Sequence, residues 1–315
     1  MGGRRCGTTG CTSCRWGDRL MATLVCFHAH PDDEAIATGG TMTLAAASGH
    51  RVVLVTATRG EKGEPEPGVL AEGEQLWERR VVETHQAAEL MGLDRVEFLG
   101  YEDSGMIGEP SNDNPLCFWQ ADVEEASQRL AKLLIEVDAD VLTIYDSHGG
   151  YGHPDHIQVH RVGRRAAEIA GVERVYQSTM NRDRILRQMK DNAHLFENDG
   201  SDIEGPSAEA VVESKIEGEI EGETAEQMRR RAEAAERGEF GSPEALITHA
   251  VDVSLAIDTK RAAMAAHRSQ IGPDSFFFKM PPEVFTAAFG TEWFIELDGV
   301  RATDAEFVSS ILPAI

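Results

Sequence analysis

Two short stretches of this chain concentrate residues that can do chemistry. The first, His30-Pro31-Asp32-Asp33-Glu34, follows the apolar run 23–27, and the second, Tyr151-Gly152-His153-Pro154-Asp155-His156, follows the apolar run 141–145. Each puts imidazole and carboxylate groups within a few positions of a proline that fixes the turn. They read as two walls of one site. Two imidazoles and one carboxylate, His30, His156 and Asp33, with two ligands close in sequence and the third far downstream, match a catalytic zinc site that leaves one position open for water. Structural zinc would want four ligands, usually with thiolates, and no cysteine lies within either cluster. Asp32 adjoins two of the ligands and is placed to take a proton from the activated water. Asp155 lies beside His153 and His156, where a carboxylate can orient an imidazole or keep it protonated. His153 is then left as an acid or an oxyanion stabiliser. Together these are the parts of metal-assisted hydrolysis.

Other readings compete. Asp and His at strand–helix junctions serve as N-caps, and Pro belongs to first helical turns, so either cluster alone could be a capping device. Two clusters of the same grammar at equivalent strand ends favour chemistry. A two-histidine, one-carboxylate set also makes the facial triad of non-haem iron oxygenases, a chemistry usually housed in β-barrels. His28, His50, His85, His160, His194, His249 and His267 lack such company and read as surface or core residues. Of these, His160, one turn after His156, is the one expected to support the site.

The elements that must carry the clusters alternate. Strands are expected over 23–28, 51–57, 96–99, 141–145, 175–179, 247–253 and 293–297, with helices over 38–48, 72–91, 122–137, 155–170, 182–195, 257–268 and 304–312. The run 51–57 is too continuously apolar to have a solvated face, which marks a central parallel sheet. Both clusters then sit just past strand ends, where ligand sites collect in such sheets. A loop over 59–68 and a long irregular one through 102–115 are of the kind that carries function. Phe276, Phe277 and Phe278 read as packing or pocket wall. No internal repeat is evident.

At 315 residues with 41% hydrophobic content, the chain can build one large core or two small ones. A net charge of −24 and a pI near 4.8 argue against a nucleic-acid partner. No apolar run reaches the eighteen or so residues of a membrane span. Cys6, Cys11, Cys14, Cys26 and Cys117 show no framework spacing, which fits a reducing compartment and a cytoplasmic location. Residues 1–20 lack the apolar core of a signal peptide and read as a disordered leader, with a three-cysteine metal knuckle as the alternative and Met21 as a candidate start. The expected organisation is a catalytic core over 21–195, an acidic flexible insertion over 196–243, partly helical at 225–237, and a part over 244–315 that completes the same domain.

Ala29-His30-Pro31-Asp32-Asp33-Glu34 with Gly39-Gly40, and His153-Pro154-Asp155-His156, resemble the two signature motifs of the PIG-L (LmbE-like) deacetylases. The resemblance covers roughly residues 22–195, with a weaker likeness at Ala266-His267-Arg268-Ser269-Gln270. It implies a Rossmann-like α/β fold with a mostly parallel sheet flanked by helices. It also implies zinc-dependent removal of an N-acetyl group from an N-acetylated amino sugar, with ferrous iron as the alternative metal. His30, Asp33 and His156 are then ligands, Asp32 the general base, and His153 the acid or oxyanion partner. Within the family the likeness is nearest to the branch that acts on N-acetylglucosaminyl-inositol in mycothiol biosynthesis. There Tyr151-Gly152 resembles a mobile tyrosine motif, Asp103-Ser104-Gly105-Met106 a substrate-binding loop, and Arg80-Val81-Val82-Glu83 a sugar-binding arginine. Arg80 could instead pair with Glu78 or Glu83 on a solvated face, and Asp103 could be turn chemistry. An amidase acting on a mycothiol S-conjugate and a non-catalytic sugar-binding protein are the remaining alternatives.

Overall fold

The computed structural model describes residues 21–191, 237–238 and 240–313. The leader over 1–20 with Cys6, Cys11 and Cys14, His194, most of the acidic stretch 196–243 and nearly all of the helix expected within it lie outside the described residues. Strands β1 (Thr23–His28), β2 (Arg51–Thr56), β3 (Arg95–Phe98), β4 (Val141–Tyr145), β5 (Arg174–Thr179), β6 (His249–Asp252) and β7 (Thr291–Glu296) form one sheet in the order β3-β2-β1-β4-β5-β7-β6. Neighbours from β3 to β5 pair in parallel, whereas β7 runs antiparallel to β5 and β6 antiparallel to β7.

Helices cover both faces, which is why the central strands are apolar without alternation. Every residue of β1 is buried. Val25, Phe27, Val53, Val55, Leu142 and Ile144 face one layer, made by α4 (Val123–Glu136) and α6 (Pro154–Ala170). Leu24, Cys26, Val52 and Val141 face the other, made by α2 (Gly39–Ala47), α3 (Leu76–Met91), α8 (Ile257–Ala266) and α10 (Pro282–Phe289). Each fully buried Leu or Phe side chain stabilises the fold by roughly 1.5–3 kcal/mol relative to exposure. Helix ends follow local sequence: Gln75 and Glu78 form a capping box at the start of α3, Gly92 closes it with left-handed backbone, and Gly171 does the same for α6. The other α-helices among the described residues are α1 (Asp33–Ala37), α5 (Gly149–Gly152), α7 (Arg182–Asp191) and α9 (Phe276–Lys279).

Strand β7 is tied to α2 and α8 by buried charge. Lys260 Nζ lies 2.6 Å from Glu292 Oε1, and the same carboxylate accepts from the Gly40 and Thr41 amides at 2.8 and 2.9 Å. Phe277 and Phe278 pack against the second core layer. The helix expected over 304–312 is absent. Val308 instead bridges to β6, exchanging backbone hydrogen bonds with Ala250 and Thr248, and Phe307 packs edge-on against Trp293. Pairing with an otherwise open sheet edge outweighs the helical propensity of this short segment. No described helix is long and apolar enough to cross a membrane.

β1 pairs with β2 on one side and β4 on the other, so the direction of winding reverses between β1 and β4. The crevice outside their carboxyl ends is where a doubly wound sheet takes ligands. His30 and His153 lie two and eight residues beyond those two strand ends.

Candidate active site

The segment after β1 turns sharply into α1. Asp32 is the N-cap of that helix, with φ 97° and ψ −34°, a conformation a non-glycine residue holds only under constraint. Asp33, at the first helical position, points its carboxylate into the crevice. Its Oδ2 accepts from the His30 amide at 2.9 Å and lies 3.4 Å from His30 Nδ1 and 3.3 Å from His156 Nε2. The fold thus brings His30, Asp33 and His156 to one point. His30, His153 and His156 also offer nitrogens within 4.8 Å of one another, as do His30, Asp103 and Asp155 with one ligand atom each.

The second motif starts α6. His153 is its N-cap, its Nδ1 accepting from the Asp155 amide at 3.1 Å, and Pro154 takes the first helical position. Nδ1 is therefore the acceptor, and the ring proton of neutral His153 sits on Nε2. Burial, helped by His30 and His156, pushes this imidazole down to about 3, so it is neutral at physiological pH. Asp155 reaches across the crevice: its Oδ2 lies 3.1 Å from His30 Nε2 and accepts from the Ser104 amide at 3.0 Å, while Oδ1 takes the Ser104 hydroxyl. Asp155 therefore orients His30 rather than either histidine beside it in sequence. A proton fixed on His30 Nε2 leaves the Nδ1 lone pair aimed at the Asp33 side.

Asp103 completes the wall. It accepts from the Lys62 and Gly105 amides at 3.1 and 2.9 Å and lies 3.4 Å from His30 Nε2. Its turn contacts and its place beside His30 coexist. Burial pushes its carboxyl up, but His30 and the two amides hold it below the usual carboxylate range. Arg80 is buried, against the alternative of a solvated face. Its guanidinium donates to the Gly60 and Pro31 carbonyls and lies 3.4 Å from Asp32 Oδ2, while Glu83 pairs with Ser269. Burial pushes Asp32 up to about 6, with Arg80 opposing the shift and Asp33 adding to it.

Tyr151 stands at the mouth, 45% exposed, on a turn whose Gly149, Gly150 and Gly152 all have positive φ. Its hydroxyl lies 3.5 Å from His156 Nε2. Gly149 is obligatory for a second reason: a Cβ there would come within 2.6 Å of His156 Cβ. Besides His160, which the sequence marks as a supporting residue, two histidines that lack such company in the sequence, His28 and His267, bear on this region. His28 is buried with Nδ1 2.8 Å from the Tyr145 hydroxyl and Nε2 2.8 Å from Thr38 Oγ1. His267 is buried against Glu34 at 2.5 Å. His160 bonds the Tyr145 carbonyl at 3.0 Å. His28 lies two residues before His30, and Ala266–Gln270 carries a weak family likeness; these were the available signals.

The donor set fits a divalent cation. Two imidazole nitrogens flank one carboxylate oxygen, and three carboxylates, Asp33, Asp103 and Asp155, crowd a single imidazole, an excess of negative charge that a cation balances.

Fold and site together define a class: a Rossmann-like α/β protein with a His/Asp cluster at the point where its strand order reverses. The sequence profile of the GlcNAc-PI de-N-acetylases (PIG-L) matches residues 25–167. A 1D-myo-inositol 2-acetamido-2-deoxy-α-D-glucopyranoside deacetylase from Thermomonospora curvata is 36% identical over 299 residues, 87% of this chain and 90% of that protein. One of the same name from Nocardiopsis dassonvillei is 38% identical over 282 residues, 86% of this chain and 93% of that protein. The N,N'-diacetylchitobiose deacetylase of Pyrococcus horikoshii shares the fold, with a TM-score of 0.50 at 20% identity over 87% of this chain and 83% of that one. The chain belongs to the PIG-L family.

Proposed function

We propose that this protein hydrolyses the acetamide of 1D-myo-inositol 2-acetamido-2-deoxy-α-D-glucopyranoside, releasing acetate and the free amine. The observation that carries this reading is the similarity, over nine-tenths of their length, to deacetylases named for that substrate. His30, Asp33 and His156 would hold zinc, with ferrous iron as the alternative ion. Such a cation, when bound, supplies Lewis acidity toward the acetamide carbonyl and makes water a better nucleophile at neutral pH.

The chain's own groups do the rest. Asp32 accepts the proton of the attacking water as the new C–O bond forms, and Arg80 beside it keeps the carboxylate ionised. Neutral His153 presents its Nε2–H to the developing oxyanion, and the Tyr151 hydroxyl adds a donor from the mouth. Asp155, anchored by Ser104, keeps His30 in one tautomer. Collapse of the tetrahedral adduct breaks the C–N bond, and the proton held by Asp32 passes to the leaving amine. Asp103 and Arg80 are assigned to the sugar side, where their fixed charges orient hydroxyls.

Acetate release tests the reading, from the inositol glycoside and from N-acetylglucosamine, with protein stripped of metal and reloaded with zinc or ferrous iron. Metal-dependent release from the glycoside supports it. Release from neither, by protein that binds one metal ion, would sink the substrate assignment.

A further inference from the structure

The peptide between Pro31 and Asp32 is held at both ends. Arg80 donates to its carbonyl oxygen, on Pro31, and Glu34 Oε2 accepts from its amide, on Asp32, at 2.9 Å. The second arm continues: Glu34 Oε1 lies 2.5 Å from Nε2 of His267, and both residues are 0% exposed. His267 is itself fixed. It caps the end of α8, its carbonyl accepts from the Gln270 and Ile271 amides, and Ser269 donates its amide and hydroxyl to the two Glu83 oxygens at 2.9 and 2.6 Å.

A constraint of this kind is what Asp32 requires. A non-glycine residue at φ 97° is strained, and such strain persists only where surrounding bonds over-determine the conformation. A carboxylate that accepts from a backbone amide while bound to a buried imidazole is a strong, charge-assisted anchor. Without it, the backbone can relax toward an ordinary helix N-cap and carry the Asp32 carboxylate away from the crevice.

We infer that Glu34 and His267 are positioning residues that hold the strained Asp32 backbone, and so aim its carboxylate at the reacting water. This rests on the reading of Asp32 as general base. Neither residue touches substrate. The pair acts on the rate of the chemical step and leaves sugar binding and the metal alone.

The test uses the full chain reloaded with metal, in Glu34→Ala, Glu34→Gln, His267→Ala and His267→Gln, with Asp32→Asn as control. Expected for both alanine variants is a kcat, per folded protein, lower by roughly tenfold to a hundredfold, with KM and bound metal within about twofold of the parent. His267→Gln, which keeps a donor toward Glu34, and Glu34→Gln, which keeps an acceptor for the Asp32 amide, should recover most of the rate. Crystal structures of the glutamine and alanine variants give a readout independent of turnover: Asp32 should leave positive φ in the alanine variants and keep it in the glutamine ones. An unchanged kcat in folded alanine variants, or Asp32 still at positive φ in them, overturns the inference. Should an alanine variant not fold, a glutamine variant that loses rate while Asp32 keeps its positive φ counts against it. If Asp32→Asn retains full turnover, or the parent releases no acetate, the base or substrate reading fails, and the Asp32 backbone in the variant structures decides the inference alone.

Discussion

Tyr145 lies flat on His156, ring centroids 4.3 Å apart and planes within 8° of parallel, and its hydroxyl reaches His28 Nδ1 at 2.8 Å. The last residue of β4 therefore supports a candidate ligand carried by α6. Tyr145→Phe keeps the stack and strips His28 of a buried partner, at a cost of about 1–3 kcal/mol. Tyr145→Leu removes the flat support as well and should weaken metal binding by roughly 10–100-fold. Denaturant unfolding and competition titration with a zinc chelator would separate the two effects.

Asp32→Asn should lose roughly 10²–10⁴-fold in kcat while keeping its metal. His156→Ala should lose the metal itself. Metal content measured on the same preparations as the rates distinguishes a missing base from a missing ligand.

The acid limb of the pH profile should respond to Arg80. Burial raises Asp32 to about 6 and Arg80 holds it down. A base must be ionised, so turnover rises as pH passes upward through the Asp32 value. Removing the guanidinium in Arg80→Met raises that value and moves the limb to higher pH. A limb that moved down, measured as kcat/KM across pH 5–8, would contradict the pairing.

Gly149→Ala places a methyl within 2.6 Å of His156 Cβ and 2.9 Å of the Ile157 nitrogen, on backbone with φ 69°. Because both neighbours belong to α6, the strain cannot be relieved by a rotamer change. The expected cost is about 1–3 kcal/mol of stability, with metal affinity falling in parallel. Unchanged affinity would mean that α5 yields instead of α6.

Lys260→Met leaves Glu292 buried without its cation and should destabilise the fold by about 3–5 kcal/mol. Calorimetry should show this as a lower Tm with bound metal per folded protein unaltered.

Local pattern makes the central strands readable: an unbroken apolar run such as Val52 to Val55 within β2 has few other places to go. Both motifs were visible because their residues are contiguous, and the order of strands explains why they meet. What the chain concealed was contact between distant segments. Nothing near Asp155 says that its carboxylate crosses to His30, and nothing near His267 says that it ends on Glu34. The segment 304–312 departs from its expected helix for the same reason, since its conformation is set by the edge strand it meets rather than by its own residues.

The bond between Glu34 and His267 spans 233 residues of chain, and that separation orders events during synthesis. Chains emerge amino end first. The residues assigned to the metal, the last of them His156, leave the ribosome well before His267. Those three residues can therefore come together while Glu34 still lacks His267, with only the Arg80 arm of the support for Asp32 in place.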